Sequence, residues 1–439
     1  MSMRWLILLL LAAALAGAAD GPARAQIALP RLPGGLPASL PERLPVDPDR
    51  LQDDLRGRAE RALEAPARLR DLVRRSGGAL EVDPLGWPVV RGEIVAVDLS
   101  AAGREAALRA GFRVLREERL EGLDLAVVVL APPRRLPLAR ALDRLRDLDP
   151  GGDYAFNHVH APAGAIEPAA SPAPAGPPVA AARLRPTGPA LGLVDSGVDA
   201  GHPAFASASI VQRGFAGPVR PAAHGTAVAS LLVGRAGAFT GAAPGSPLFA
   251  ADVYGGSRSG GSSTAVAQAL AWLAESGVRV VNVSLVGPRN ALVEAAVRRV
   301  RARGVVVVAA VGNDGPAAPP LYPAAYPGVV GVAPVDARGR VLPEAGRGPH
   351  VDFAAPGAGM AAAGDGGYVS VRGSSFAAPL VAGLLVLRPG GGEQSVASLA
   401  AAARDAGPPG PDPVYGRGLV GLDLRVAPAA VGARGSLRR

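Results

Sequence analysis

The chain has 439 residues, of which 49% are hydrophobic, and a formal net charge of +9. Its length and hydrophobic content allow a sizeable core and suggest two or three domains, which argues against a disordered chain. Cysteine is absent and every basic residue is arginine, so disulfides and a thiol nucleophile are excluded. Because the arginines lie mostly among acidic neighbours on helical stretches, without interleaved aromatics, a solvated helix face is favoured over a nucleic-acid surface.

Residues 1–25 predict a secretory signal peptide. Arg4 precedes an apolar stretch from Trp5 to Ala16, and small residues follow up to Ala25. This order is typical of a signal cleaved before Gln26. An uncleaved membrane anchor is the alternative, but the apolar run is shorter than the roughly 20 residues that a membrane-spanning helix needs. We therefore expect a periplasmic or extracellular protein that meets the membrane only through this signal.

Residues 26–91 predict a leader and a helical spacer. The part at 26–49 is rich in Pro and Leu without helical or strand periodicity, which indicates a mobile segment. The part at 51–75 has helical spacing with mixed charges and ends at Gly77 and Gly78.

Residues 92–160 predict a small ferredoxin-like α+β domain. The pattern reads strand, helix, strand, strand, helix, strand, which is the split βαβ arrangement. Its position after a signal peptide and before a larger domain favours a pro-domain over an unrelated ligand-binding module. The predicted elements lie at 93–99, 101–110, 112–120, 125–130, 136–148 and 154–160.

Residues 161–183 are dominated by Ala and Pro and predict an extended linker that proteases can reach. After it, residues 184–428 alternate short apolar strands with helical stretches, and a short tail covers 429–439. Strands that are apolar throughout, such as 305–308, belong in a parallel sheet with helices on both faces. The predicted fold class of this larger domain is therefore α/β, with its active site at the carboxyl ends of the strands.

Three small-residue motifs in this domain carry hydrolase chemistry. They read D-S-G at 195–197, H-G-T-A-V-A at 224–229 and G-S-S-F-A-A-P at 373–379. A serine hydroxyl is a weak nucleophile near neutral pH, so it needs a base within hydrogen-bond reach and a third group that orients the base. His224 is the candidate base and Asp195 the candidate orienting carboxylate.

An acyl-transfer enzyme also needs donors aimed at the developing oxyanion. The helix predicted after the third motif presents free N–H groups at its amino end. G-N-D-G at 312–315 is an ordinary turn when taken alone, but here it follows a buried strand and accompanies the other motifs. The side-chain amide of Asn313 is therefore the candidate second donor.

With these motifs the chain resembles the subtilisin-like serine peptidases, the subtilase family, over about residues 184–426. The order Asp, His, Ser is that of this family, and further segments at 309–315, 322–327, 351–357 and 412–420 resemble it too. The resemblance implies a triad of Asp195, His224 and Ser375, with Asn313 in the oxyanion hole. G-S-S stands where the family has G-T-S, and alignment on the following Ala and Pro selects Ser375 over Ser374 as nucleophile.

The resemblance also implies the walls of the pocket for the substrate side chain before the cut bond, P1. Since the family often has glycine where Val286 and Leu321 fall, we expect a shallow apolar pocket and a preference for small or modest apolar P1 residues over Phe or Tyr. The predicted walls are Ser284, Leu285, Val286 and Gly287, then Ala310, Gly312 and Asn313, and finally Leu321. We expect His202 and His350, which lack the H-G-T context, to be structural.

Many secreted subtilases carry a ferredoxin-like propeptide that inhibits the enzyme, and the resemblance implies the same here, with self-cleavage within 157–183. It also implies protein or peptide substrates, a monomer and no required cofactor. Calcium stays possible but unassigned, because no dense loop of Asp, Glu and Asn of EF-hand type occurs.

Two other functional classes stay open. A catalytically inactive subtilase-fold binding protein would keep the fold and lose a triad residue. An esterase would normally carry a G-x-S-x-G motif with its histidine last in the chain, and neither feature is found. A C-terminal translocation barrel would need many strands after residue 426, so self-transport is not expected.

Overall fold

The computed structural model describes residues 69–167, 188–364 and 366–433. The predicted signal peptide, the leader at 26–49, most of the spacer helix, residues 168–183 of the linker and the last six residues of the tail lie outside the described residues. The end of the spacer is helical, at 69–75. Within the described ranges, no helix combines the length and the apolar character that a membrane crossing requires.

The smaller domain is built on a five-stranded antiparallel sheet with two helices. The strand β5 pairs with β2, and β2 pairs in turn with β4, which pairs with β3, so the spatial order is that of a ferredoxin-like domain. Its elements are β1 (Leu80–Val82), β2 (Pro88–Val97), α1 (Ala101–Arg109), β3 (Arg113–Leu120), β4 (Leu125–Ala131), α2 (Leu138–Leu148) and β5 (Asp153–His158).

This domain begins earlier than the boundary predicted at residue 92. The strand β1 forms a hairpin with the start of β2, and the carboxylate of Asp83 stabilises the turn by accepting hydrogen bonds from the N–H groups of Leu85 (2.9 Å) and Trp87 (2.8 Å). The sequence concealed this hairpin because Pro84 and Pro88 are typical of loops.

The strand β2 is buried on both of its faces. Ile94 and Ala96 belong to the core shared with α1 and α2, whereas Val95 and Val97 pack against the larger domain. Successive side chains of a strand point to opposite faces, so this continuous apolar run joins the small domain to the large one.

The larger domain contains a seven-stranded parallel sheet in the order β17-β16-β15-β13-β8-β12-β9. Successive residues of β15 pack alternately into the two cores, with Val308 in one and Val307 in the other. The sheet strands are β8 (Leu191–Asp195), β9 (Ile210–Gly214), β12 (Leu248–Asp252), β13 (Val280–Val283), β15 (Val306–Ala310), β16 (Val330–Val335) and β17 (Phe353–Pro356).

Helices cover both faces of this sheet, which confirms the predicted α/β class. The helices α3 and α6 pack on one face, and α4 and α5 on the other. Side-chain caps fix the starts of two of them, Ser262 for α4 and Asn290 for α5. The helices are α3 (Ala223–Val233), α4 (Ser263–Glu275), α5 (Ala291–Ala302), α6 (Ser374–Val386) and α7 (Gly392–Ala402).

Short strands outside the sheet complete the larger domain. The strands β6 (Ala161–Pro162) and β7 (Ala165–Glu167) come from the start of the predicted linker and are thus not free chain. The others are β10 (Arg235–Ala236), β11 (Phe239–Thr240), β14 (Leu285–Val286), β18 (Ala358–Gly364) and β19 (Gly367–Arg372). At the other end, Val431 and Ala433 pack against the core, so the predicted tail is folded on the domain at its start.

Candidate active site

An aspartate and a histidine meet at the carboxyl edge of the parallel sheet. Asp195 is the last residue of β8 and is 1% exposed, while His224 lies in the first turn of α3. The ring atom Nδ1 of His224 lies 2.9 Å from Oδ1 and 3.0 Å from Oδ2 of Asp195. The carboxylate therefore holds Nδ1 protonated and leaves Nε2 as the basic atom.

The loop after β8 keeps this pair in place. Oδ1 of Asp195 accepts a hydrogen bond of 2.6 Å from the N–H of Ser196, whose hydroxyl in turn accepts one of 2.9 Å from the N–H of Gly225. A Cβ atom on Gly225 would lie only 2.2 Å from the carbonyl oxygen of Ser196. The glycine of H-G-T thus lets α3 approach the aspartate closely enough for the pair to form.

The serine lies in the first turn of α6. Ser375 is 0% exposed, and its hydroxyl donates a 2.9 Å hydrogen bond to the carbonyl oxygen of Ser284. Nε2 of His224 is buried and has no hydrogen-bond partner within the described part of the chain. The rings of His224 and Phe376 pack against each other with centroids 5.3 Å apart, so α3 and α6 meet at this point.

Several hydrogen-bond donors converge on one carbonyl oxygen beside the serine. The oxygen of Ala163 accepts hydrogen bonds from Nδ2 of Asn313 (2.6 Å) and from the backbone N–H of Ser375 (2.9 Å). Oδ1 of Asn313 accepts a hydrogen bond of 3.0 Å from the N–H of Ser374, which orients the amide. The hydroxyl of Ser374 also points to the Ala163 oxygen, at 3.4 Å. Such donors stabilise negative charge on a carbonyl oxygen.

The chain itself fills the cleft as an extended peptide. The strand β6 pairs antiparallel with β14, and the N–H of Ala163 donates a 3.2 Å hydrogen bond to the carbonyl oxygen of Ser284. Past Gly164, β7 pairs antiparallel with β19. The peptide bond between Ala163 and Gly164 thus lies beside Ser375, with the chain held on both sides of it.

Two of the predicted pocket-wall residues pair directly with this peptide. Leu285 and Val286 form β14 and pair with Pro162 and Ala161. Leu321 is buried against Gly312, where a Cβ atom would lie 2.5 Å from its Cδ1. Ala310 ends β15, in the buried cluster that also includes Ala163. Ala163 itself is 3% exposed, so its methyl group is enclosed.

His160 occupies a second pocket, three residues before Ala163. Its ring lies against Gly287, where a Cβ atom would be 2.6 Å from Cδ2 of the ring, and its backbone bonds to Gly261 (2.8 Å) and to the hydroxyl of Tyr254 (3.0 Å). Complete burial, helped by the nearby imidazole of His158, lowers the pKa of His160 to about 4. The ring is therefore neutral in this pocket.

Sequence reasoning missed several of these groups. Nothing in the Ala and Pro composition of 161–183 distinguished Ala163 and Gly164, although a strand edge at β14 invites pairing by an extended segment. Asn282 donates a 2.8 Å hydrogen bond to the hydroxyl of Ser284, and its sequence context had indicated only a strand.

His202 forms hydrogen bonds with the backbone of Gly367 (2.7 Å) and of Ala204 (3.1 Å). No group of three or more His, Cys, Asp or Glu side chains in the described ranges could hold a metal ion.

A parallel sheet that brings an aspartate, a histidine and a serine, in this chain order, to one cleft defines an α/β protein of the subtilisin-like class. The model of the Subtilase family matches residues 187–418, and the chain belongs to that family.

Proteins of similar sequence support this family assignment. The chain is 38% identical over 168 residues to M-protease of Shouchella clausii (strain KSM-K16), a match that covers 37% of this chain and 44% of M-protease. It is 33% identical over 207 residues to thermitase of Thermoactinomyces vulgaris, covering 45% of this chain and 74% of thermitase. The chain thus spans less than half the length of M-protease.

The solved structure of fervidolysin from Fervidobacterium pennivorans, a keratinolytic enzyme related to subtilisin, has the same fold. The two superpose with a TM-score of 0.62 and 21% sequence identity, covering 76% of this chain and 61% of that one.

Proposed function

We propose that the chain is a serine endopeptidase with Ser375 as nucleophile, His224 as general base and Asp195 as the residue that orients it. The observation that carries this proposal is the peptide bond after Ala163, whose oxygen accepts hydrogen bonds from Asn313 and from the N–H of Ser375. A binding cleft alone has no need of two donors on one carbonyl oxygen beside a serine hydroxyl.

The reaction follows from these contacts. The hydroxyl of Ser375 turns from Ser284 to Nε2 of His224, gives it the proton and attacks the carbonyl carbon. Negative charge develops on the oxygen that Asn313 and the N–H of Ser375 bind. The intermediate collapses as the C–N bond breaks and His224 protonates the leaving amine, which leaves an ester on Ser375. Water, deprotonated by His224, then hydrolyses that ester.

Every group in this sequence of steps belongs to the protein, so the proposed chemistry requires no cofactor. The carboxylate of Asp195, hydrogen-bonded to Nδ1 of His224, stabilises the imidazolium that forms on that ring. Calcium, which many subtilases bind, takes no part in the proposed steps.

We propose further that the protein is made as a zymogen that cuts itself between Ala163 and Gly164. The bond lies within the range 157–183 expected from the sequence and is held as a substrate would be. After the cut, residues 160–163 stay in the cleft through β6, and the small domain stays attached to α4 and α5, so the amino-terminal product inhibits the enzyme. Sequencing the mature amino terminus tests this: Gly164 is expected, and a mature start at Gln26 would contradict it.

The substrates we propose are proteins or peptides with a small apolar P1 residue. Ala163 is such a residue, and its methyl group is enclosed. We propose that Leu321, which lies against Gly312, fills part of the space that a larger P1 side chain would need. The signal peptide predicted at 1–25 supports secretion, to the periplasm or beyond. We also propose that the protein is a monomer without a nucleic-acid partner.

Hydrolysis of fluorogenic casein by the processed protein, compared with Ser375→Ala, tests the proposed activity. Casein cleavage that the substitution abolishes is expected. A folded, processed protein that hydrolyses neither casein nor small esters would instead be a subtilase-fold binding protein. Ester hydrolysis without peptide hydrolysis would make it an esterase.

A further inference from the structure

Gly164, the residue after the bond proposed to be cut, has no room for a side chain. A Cβ atom built on it would lie 2.7 Å from Cε2 of Phe376, 3.1 Å from Cβ of Ser375 and 3.2 Å from Cδ2 of Phe376. Real Cβ atoms essentially never approach another heavy atom to 2.7 Å, so something would have to move.

Gly164 also lies close to the backbone of Gly373. A Cβ atom on Gly373 would lie 2.8 Å from Cα of Gly164, so the two glycines face each other in contact. Gly373 has a φ of 131°, which a residue with a side chain rarely adopts, and this wall therefore consists of backbone alone.

The backbone of Gly164 does not explain the glycine. Its φ is not among the positive values found in the described residues, so a left-handed backbone is not the reason for glycine here. The restriction at this position is steric and comes from the enzyme side of the cleft.

The ring of Phe376 cannot move away easily. Phe376 is 0% exposed, belongs to the core of the larger domain and packs against the ring of His224. A residue with a side chain after the cut bond would press on the same ring that packs against the imidazole proposed to accept the serine proton. Close-packed interiors resist such shifts.

We propose that Phe376 makes this enzyme selective for glycine at the position directly after the cut bond, P1′. The inference rests on the proposed endopeptidase function and narrows it to bonds of the type Ala–Gly in extended segments. Phe376 acts by shape, and it links the size of the P1′ residue to the position of His224. Larger P1′ residues are therefore expected to lower kcat as well as to raise KM.

The first test uses quenched fluorescent peptides that copy residues 160–167, with Gly, Ala, Ser or Val in the place of Gly164. The methyl ester of His-Ala-Pro-Ala, which has no P1′ residue, serves as the reference substrate. We expect kcat/KM to fall about 10-fold or more from Gly to Ala and further to Val, in the range that overpacking by one to three methyl groups produces.

Two variants test whether the contact between Phe376 and the P1′ residue causes the selectivity. Phe376→Ala should reduce the Gly-over-Ala ratio to about 3-fold or less, a ratio measured within each enzyme and so independent of any loss in overall rate. In the full chain, Gly164→Ala should slow self-cleavage about 10-fold. Gly151→Ala is the matched control, since a Cβ atom at Gly151 meets nothing within 4 Å, and it should leave self-cleavage unchanged.

The outcomes separate this inference from the proposed function. Equal rates for all four peptides, or a Gly-over-Ala ratio that Phe376→Ala leaves unchanged, would overturn the role of Phe376 while the enzyme still hydrolyses the ester. If neither the peptides nor the ester are hydrolysed, the proposed function itself is wrong and the inference falls with it.

Discussion

The side-chain amide of Asn313 and the carbonyl oxygen of Ala163 form a hydrogen bond of 2.6 Å across the cleft. This bond joins a group of the larger domain to the chain segment that leaves the smaller one. It strengthens as negative charge develops on the oxygen, so it should matter more for the transition state than for substrate binding.

Replacing Asn313 with Ala should therefore lower kcat by about 10²- to 10³-fold with little change in KM, the loss typical of one oxyanion donor. Steady-state kinetics on the peptide that copies residues 160–167 measures both constants. A rise in KM at constant kcat would show instead that Asn313 only binds the substrate.

The two neighbouring serines should behave differently. Ser375→Ala should abolish both peptide hydrolysis and labelling by a fluorophosphonate. Ser374→Ala removes only a long 3.4 Å contact to the Ala163 oxygen and a 3.1 Å bond from the N–H of Gly312, so it should keep labelling and lose activity about 10-fold or less. Labelling of the Ser375→Ala protein would assign the nucleophile to Ser374.

Leu321→Ala should open the pocket for the residue before the cut bond. The 4% exposed side chain lies against Gly312. If it lines the P1 pocket as proposed, its removal creates space for larger P1 residues. We expect kcat/KM for Leu or Phe at P1 to rise about 10-fold relative to Ala, and the free energy of unfolding to fall by about 2–5 kcal/mol. Kinetics on a series of peptides that differ at P1, together with thermal unfolding, measure the two effects. An unchanged preference for Ala would show that Leu321 does not line the P1 pocket.

Occupancy of the His160 pocket should depend on pH. The buried His160 ring has a pKa of about 4, whereas a free histidine ring has a pKa of about 6.5. Between these two pH values the free peptide carries a proton that the bound peptide lacks. Binding of the peptide should therefore weaken as the pH falls through this window. The Ki of acetyl-His-Ala-Pro-Ala should rise by up to about 10-fold per pH unit below 6.5. The ratio to acetyl-Leu-Ala-Pro-Ala cancels titration of the enzyme itself, and a ratio constant with pH would contradict the buried neutral ring.

Gly122→Ala should loosen the small domain from α4. A Cβ atom at this position would lie 2.3 Å from the carbonyl oxygen of Ala271, a backbone atom that cannot turn away. After self-cleavage the small domain should leave the variant sooner. Peptide hydrolysis should therefore begin after a shorter lag than in the original protein or the Gly151→Ala control. An identical lag in all three would mean that this contact does not hold the domains together.

Much of the architecture could be predicted from the sequence because local patterns determine it. The ferredoxin-like order follows from alternating strand and helix periods, and the apolar run of β15 reads directly as a buried parallel strand. The hairpin of β1 with β2 could not be predicted, because Pro84 and Pro88 are typical of loops and only the contacts of Asp83 show the turn.

The residues of the cleft likewise include some that the sequence predicts and some that it does not. Asp195, His224 and Ser375 stand in motifs of small residues whose close packing is visible in the sequence, as the contact of Gly225 with Ser196 illustrates. The seating of Ala163 and Gly164 depends on pairing between segments more than a hundred residues apart, β6 with β14 and β7 with β19. Composition alone carries no information on such long-range register.

The antiparallel pairing of β6 with β14 and of β7 with β19 has a kinetic consequence. In the proposed self-cleavage, one continuous polypeptide brings the bond between Ala163 and Gly164 to the hydroxyl of Ser375, so no encounter between separate molecules would precede the first turnover. Maturation should accordingly be first order, with a half-life that dilution leaves unaltered, whereas cleavage of any later substrate depends on its concentration.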